Sequence, residues 1–458
     1  MYGFIVLAIY TVLMMVVTVC LSQQANTMES FHVADRKLGL IQSAMSIAAT
    51  WIWAPALFTS AEKAYTNGLP GLFWFLVPNI LCLLIFVPFG KRMRALAPEG
   101  ITLSGYMQQQ YRSKGVHGVY LFELSALAIL STAVQLLAGA KILAAVTGWP
   151  FWLLTVVLAV IAFSYSQYSG IKASVLTDAL QMIFMLACCA LLVPWALSSD
   201  TGVSSLIHGL AGQSGEYTSL FNERGLEVLL AFGLPTAVGL IAAPFGDQCF
   251  WQRAFSVRED KISQAFQLGT LLFAAVPLSM SILGFIAAGS GYVAQDAGMV
   301  NFELVTGMFP EWVMLPFLFM VISGLLSTTD SNLCAVASLT SDFGGDIGIA
   351  KGSMLVLLVL AIGIANIPGL DVTDLFLIYG ALRATTMLPT VLTLRGKVLT
   401  AGGVTAGIVA SLVIGMPIFV IGTITGSAAM KTTGSLCAVL LSGAVCMATA
   451  PGKEASPE

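Results

Sequence analysis

From residue 2 to residue 450 the sequence is a succession of apolar stretches, each close to the length that crosses a bilayer and each bounded by short polar or Gly/Pro-rich turns. A spanning helix needs about 20 predominantly apolar residues. Thirteen segments qualify, at approximately 2–22, 39–66, 69–90, 116–146, 149–167, 171–198, 226–252, 262–289, 311–338, 350–367, 372–394, 399–424 and 432–450. Only 9% of the 458 residues are charged and mean hydropathy is +0.90, where soluble domains carry about 25% charge. Lipid offers backbone groups no hydrogen-bond partner, so the spans must be helices. The expectation is a single all-α membrane domain over 1–458, with no room for a soluble catalytic module. The start, MYGFIVLAIYTVLMMVVTVCLS, lacks the basic n-region of a signal peptide and is read as a retained span.

Several function classes drop out. A net charge of −3 gives no reason to expect nucleic acid. The eight cysteines sit mostly in apolar runs without metal-ligand spacing and read as small buried hydrophobes. His32, His117 and His208 belong to no ligand motif, and GIAKGS at 348–353 lacks the P-loop spacing. No nucleophile–base–orienter set is visible, so an enzyme is not expected. With the N-terminus outside, fifteen basic residues, among them Arg36, Lys91, Lys172, Arg253, Lys351 and Lys453, fall on the cytoplasmic side. Only Lys63, Lys141, Arg224 and Lys431 fall outside. That bias orients the chain in the plasma membrane with its C-terminus in the cytoplasm.

Two spans carry breaks. AATWIWAPALF contains Pro55, which cannot donate a helical hydrogen bond, and FGLPTAVGLIAAPFGDQ contains Gly233, Pro235, Gly239 and Pro244. They are the first and sixth spans after the N-terminal one, hence corresponding positions of a five-plus-five inverted repeat, 39–198 and 226–394, followed by two extra helices at 399–450. Paired interrupted helices point to a transporter that binds its cargo near the midplane; ordinary kinking by Pro and Gly is the alternative.

A third span contains SGLLSTTDSN, residues 323–332. At helical spacing Gly324, Ser327, Thr328 and Ser331 share one face and Asp330 borders it. Neutral oxygens in a stripe suit a weakly held monovalent cation, or else serve as glue between helices. Asp330 favours the first reading, because an intramembrane carboxylate is expensive. Asp178 is a second one, placed where cytoplasmic water would reach it. Gln135 faces either a solute or a neighbouring helix. Arg383, the one strong base near mid-membrane, pairs with a carboxylate or meets an anionic solute. Glu123 reads as a gate ion-pair member or a snorkelling charge.

Five segments in order, FHVADRKLG, AATWIWAPALF, YSGIKASVLTDALQ, FGDQCFWQRAF and SGLLSTTDSNLCAVASLTSDF, resemble the sodium:solute symporter family, which includes proline, sugar, sialic acid and urea symporters. The resemblance runs over roughly residues 30 to 395. It implies the leucine-transporter fold and a sodium site between the spans at 39–66 and 311–338. The ligands it implies are the carbonyls of Ala49, Ile52 and Gly324 and the hydroxyls of Ser327 and Thr328. A further ion site of some relatives would involve Asp178, Ser327, Asp330 and Ser331, although most carry a hydroxyl where Asp330 stands. WIWA and DQCFWQ look most like the urea branch. Trp51 and Trp53 either wall a compact pocket or pack at the break.

The expected function is sodium-driven symport of a small polar solute, urea or a urea-like amide first. The alternatives are symport of proline, another amino acid or a small carboxylate, or a transporter-like sensor. One cation crossing 100 mV gains about 2.3 kcal/mol and a tenfold gradient adds roughly 1.4. Together they sustain a solute gradient of a few hundredfold without ATP. Solute is expected beside Trp51, Trp53, Gln135, Phe232, Pro235 and Thr236. The partners are then the solute, sodium and the bilayer, with no obligatory protein partner.

Overall fold

The computed structural model describes residues 2–22 and 24–451 of the chain; Lys453, counted above among the cytoplasmic bases, lies outside them. The N-terminal helix α1 (Tyr2–Leu21) is followed by a short α2 (Met28–Val33), and then by the first broken span, α3 (Leu40–Trp51) and α4 (Ala54–Leu57). Helix α5 (Thr59–Leu96) finishes that span and continues into the next; α6 (Leu103–Tyr111) lies between crossings. Three long helices follow, α7 (Lys114–Thr147), α8 (Phe151–Ser169) and α9 (Ile171–Leu197), then a short α10 (Gly202–Gly209). The next crossing is α11 (Glu223–Val228) and α12 (Leu234–Gly246), prolonged by α13 (Gln248–Ser256). Beyond it run α14 (Ile262–Gly289), α15 (Val300–Met308), α16 (Met314–Leu339), α17 (Ile347–Ala365) and α18 (Val372–Leu394). The last crossings are α19 (Ala401–Ala410) with α20 (Met416–Ile424), and α21 (Ala428–Ala448).

Twelve helices among the described residues are long and apolar enough to cross a membrane. The broken segment α3–α4, completed by the first turns of α5, makes a further crossing, and the chain turns into the next one inside α5 at Gly68, φ 56°. A Cβ there would sit 2.5 Å from the Leu210 carbonyl oxygen, so the joint requires glycine.

The first break falls where Pro55 predicts it. Ile52 leaves the helix at φ −85°, ψ 81°, and Pro55 occupies the opening turn of α4, where its missing N–H is not needed. The second differs from expectation. Gly233, Pro235, Gly239 and Pro244 do not unwind their span; a π turn at Leu229–Gly233 absorbs the misfit ahead of Pro235. The interruption comes at Asp247, extended at φ −99°, ψ 116°.

Helix α16 is the axis of the molecule. Its spanning window is 78% buried, against 28% for α1 and α17, and it packs between α7 and α9 and touches α3 and α13. The polar run 323–332 is therefore buried in protein rather than turned to lipid.

Candidate functional site

The break in α3 and the polar face of α16 meet. Gly324 lets the chains approach: a Cβ there would lie 3.1 Å from the Ile52 carbonyl oxygen and 2.9 Å from Leu57 Cδ1. Thr328 Oγ1 donates to the Thr50 carbonyl at 3.0 Å, and Thr50 Oγ1 lies 2.9 Å from Ser331 Oγ. Ser327 Oγ donates to Asp178 Oδ1 at 2.5 Å. Both Ser327 and Thr328 spend their protons on these partners, which leaves oxygen lone pairs as the feature each hydroxyl can offer a cation. The Ala49 carbonyl, also expected here, accepts from the Ile52 N–H at 3.1 Å. Thr329, on the opposite side, bonds back to the Leu325 carbonyl.

Directly beyond Ser327 and Ser331 lies a charge cluster that sequence reasoning saw only in part. Asp178 and Asp330 are wholly buried, and beside Asp178 stands Arg253, which is 1% exposed. Its assignment to the cytoplasmic face is corrected: the residues of α13 are buried, and the guanidinium lies within the protein. Arg253 Nη2 donates to Asp178 Oδ2 at 3.0 Å and to Ser331 Oγ at 2.6 Å, and its Nε donates to Ser46 Oγ at 3.1 Å. Ser46 donates to Asp178 at 2.6 Å, and Ser174 donates to Asp330 Oδ1 at 2.6 Å. Cytoplasmic water therefore does not solvate Asp178 in this arrangement. Two carboxylates stand against one guanidinium. His32, buried in α2 nearby, adds no charge, because burial pushes its imidazole down to about 4 and leaves it neutral.

Beside the break is a small buried pocket of about 10 Å³, lined by Thr50, Trp51, Trp53, Ser131, Asp247, Cys249, Phe250, Thr328, Asn332, Tyr379 and Arg383. Arg383 bonds Asp247, which also accepts from Tyr379 Oη at 2.7 Å. The guanidinium carbon lies 3.5 Å from the Tyr379 ring centroid and 5.1 Å from that of Trp53, inside cation–π range. Arg383 Nε and Nη1 and Trp53 Nε1 are buried donors without a partner among the described residues. Thr50 and Thr328 belong both to this cavity and to the cation face.

The other expected solute contacts go elsewhere. Gln135 accepts from the Ala54 N–H at 2.8 Å and so caps α4, holding the break open from behind. Phe232, Pro235 and Thr236 are outside the cavity wall; Phe232 lies under Lys63 Nζ, 5.2 Å from its ring centroid. Glu123 and Arg383 do not pair with each other. Glu123 accepts from Thr385 Oγ1 at 2.9 Å and is wholly buried, which also rules out snorkelling. Asp247 and Arg253 are the residues sequence reasoning missed. Both stand in FGDQCFWQRAF, but their roles depend on partners far along the chain.

A model of the sodium:solute symporter family matches residues 31–347. A probable urea active transporter of Schizosaccharomyces pombe is 26% identical over 284 residues, 58% of this chain and 42% of the relative. A urea-proton symporter of Oryza sativa subsp. japonica is 24% identical over 488 residues, 92% of this chain and 66% of the relative. The chain thus spans less than two thirds of the length of these relatives. The structure of a Na+-coupled sialic acid symporter superposes with TM-score 0.78 at 16% identity, covering 99% of both chains. That likeness confirms the expected all-helical symporter fold.

Proposed function

The chain belongs to the sodium:solute symporter family, and from that premise we propose that it carries a small neutral amide, urea first, across the plasma membrane together with sodium. The family comprises transporters rather than enzymes, and the twelve apolar helices make this a multi-pass membrane protein. The observation that carries the solute reading is the small polar pocket at the helix break, which must widen to admit a solute. Its one base and one acid already neutralise each other, so an ion would enter uncompensated. Its unpartnered donors, Arg383 Nε and Nη1 and Trp53 Nε1, suit a carbonyl oxygen. Asp247, Ser131 and Asn332 supply acceptors for amide N–H groups. The names of the fission-yeast and rice relatives favour the same solute.

Sodium sits between the carbonyls of Ala49, Ile52 and Gly324 and the hydroxyls of Ser327 and Thr328. Because Thr50 and Thr328 also wall the cavity, cation binding fixes the face against which the solute docks. Asp178, Asp330 and Ser331 form a second cation site, supported by the surplus of negative charge beside Arg253. Rocking of one helix group against the other then opens both sites to the cytoplasm, with the C-terminus on that side.

The test is uptake of labelled urea into proteoliposomes. Accumulation driven by an inward sodium gradient, and absent without it, is expected; no sodium-dependent accumulation would overturn the reading. Replacing the sodium gradient by a proton gradient tests the coupling named for the rice relative.

A further inference from the structure

The wall of the solute pocket holds one side chain that differs from a carboxylate by a single group and is fixed at both of its polar ends. Asn332 follows Ser331 on α16, lines the pocket and is 3% exposed. Its Nδ2 donates to Thr132 Oγ1 of α7 at 3.1 Å, and its Oδ1 accepts from Cys249 Sγ of α13 at 3.3 Å. Cys249 belongs to the pocket wall and Thr132 does not. The amide thus keeps its oxygen at the pocket, with a lone pair to spare, and turns its NH2 group to α7. Little more than one turn of α7 arranges all of this. Ser131 lines the pocket, Thr132 holds Asn332, and Gln135 caps α4 at Ala54. The same pocket contains the unused donors of Arg383 and Trp53.

We propose that Asn332 is a specificity-determining residue of this pocket: its neutral amide admits a planar solute that carries both C=O and N–H groups and excludes equally planar solutes that carry a charge. Urea, guanidinium and a small carboxylate such as acetate are flat and three-branched, so shape separates them poorly. Charge and hydrogen-bond count must do it. Arg383 and Asp247 cancel each other, which leaves the pocket neutral as long as residue 332 is an amide. Guanidinium would bury a charge without a counter-ion beside Arg383, and it has no oxygen for the unused donors of Arg383 and Trp53. A carboxylate would satisfy those donors but bring only acceptors to Asn332 Oδ1, oxygen against oxygen. Urea answers both ends, its carbonyl taking the donors and its N–H groups reaching Oδ1. Exchange of the Asn332 NH2 group for oxygen keeps the volume and adds one negative charge, which turns the preference toward the cation.

This inference rests on the reading of the pocket as the solute site, and one measurement separates the two. The full chain, purified at fixed total sodium, is titrated with millimolar urea, guanidinium chloride or sodium acetate while the unfolding midpoint is followed. The unaltered protein should be stabilised by urea and by neither ion. Asn332→Asp should raise the urea concentration for half-maximal stabilisation by about tenfold and gain stabilisation by guanidinium. Asn332→Ser, neutral and shorter, should raise it by about fivefold and gain none; it decides the matter if Asn332→Asp does not fold. Thr132→Val frees the NH2 group from outside the pocket and should raise it by about threefold, with both ions still excluded. Urea stabilisation undiminished in Asn332→Asp or Asn332→Ser, or no gain of guanidinium by a folded Asn332→Asp, overturns the specificity role and leaves the solute pocket standing. An unaltered protein that urea does not stabilise overturns both.

Discussion

The pair Arg383–Asp247 and the trio Asp178–Arg253–Asp330 are both sealed inside the protein, yet the first balances its charge and leaves donors unused. The second sets two carboxyl groups against one guanidinium and engages the hydroxyls of Ser46, Ser174, Ser327 and Ser331. The two clusters lie on opposite sides of one helix break, with Thr50 and Thr328 between them. A balanced cluster with spare donors can bind a neutral molecule; a cluster short of positive charge can bind a cation. The division of labour follows from charge count and hydrogen-bond count together, and neither alone would give it.

The largest effect should come from unbalancing the first cluster. Arg383→Met strands the Asp247 carboxylate and should cost about 3–5 kcal/mol of stability, with urea uptake abolished. Adding Asp247→Leu should restore most of the unfolding midpoint and none of the uptake. If the double variant transports, the cavity is not the solute site.

Asp330→Ser sharpens the comparison from the other side by making the second cluster neutral. It should remove one cation per solute. The maximal accumulation ratio should then fall by roughly a few hundredfold at 100 mV and a tenfold sodium gradient. The stoichiometry is read from reversal potentials; an unchanged value assigns Asp330 a purely structural role.

Smaller effects separate the walls of the two sites. Ser327→Ala, outside the solute pocket, removes one ligand worth about 1 kcal/mol. The half-saturating sodium concentration should rise roughly fivefold, while urea affinity at saturating sodium holds. Tyr379→Phe keeps the ring over Arg383 and loses only the hydroxyl on Asp247. Half-saturation for urea should rise by about threefold without any change in sodium dependence. Crossed effects of Ser327→Ala and Tyr379→Phe would mean that the two sites share more than Thr50 and Thr328.

What the sequence revealed, and what it hid, follows the same division. Span number and the break beside Pro55 were legible because bilayer thickness and proline chemistry act locally. The polar face of α16 was legible as a helical repeat. Asp247 was hidden because it lies at the end of a span, and nothing local says that Arg383, much later in the chain, will reach it. Arg253 looked cytoplasmic for the same reason: the hydropathy of α12 ends near Gly246, and only the tertiary fold shows the residues of α13 buried within the protein. Gln135 could be read as a polar group in mid-span, but its partner, the backbone of Ala54, exists only once the break is formed. The breaker pattern at 233–244 misled because a π turn absorbs one residue and lets helix continue through Pro235.

The central claim is that cation and solute meet at one shared wall, Thr50 and Thr328. Its most direct test is urea binding to the purified protein, measured as a shift of the unfolding midpoint over a sodium titration. Sodium should lower the urea concentration needed for half-maximal stabilisation at least tenfold, and Thr328→Ala should weaken this coupling. Urea stabilisation that is indifferent to sodium would contradict it.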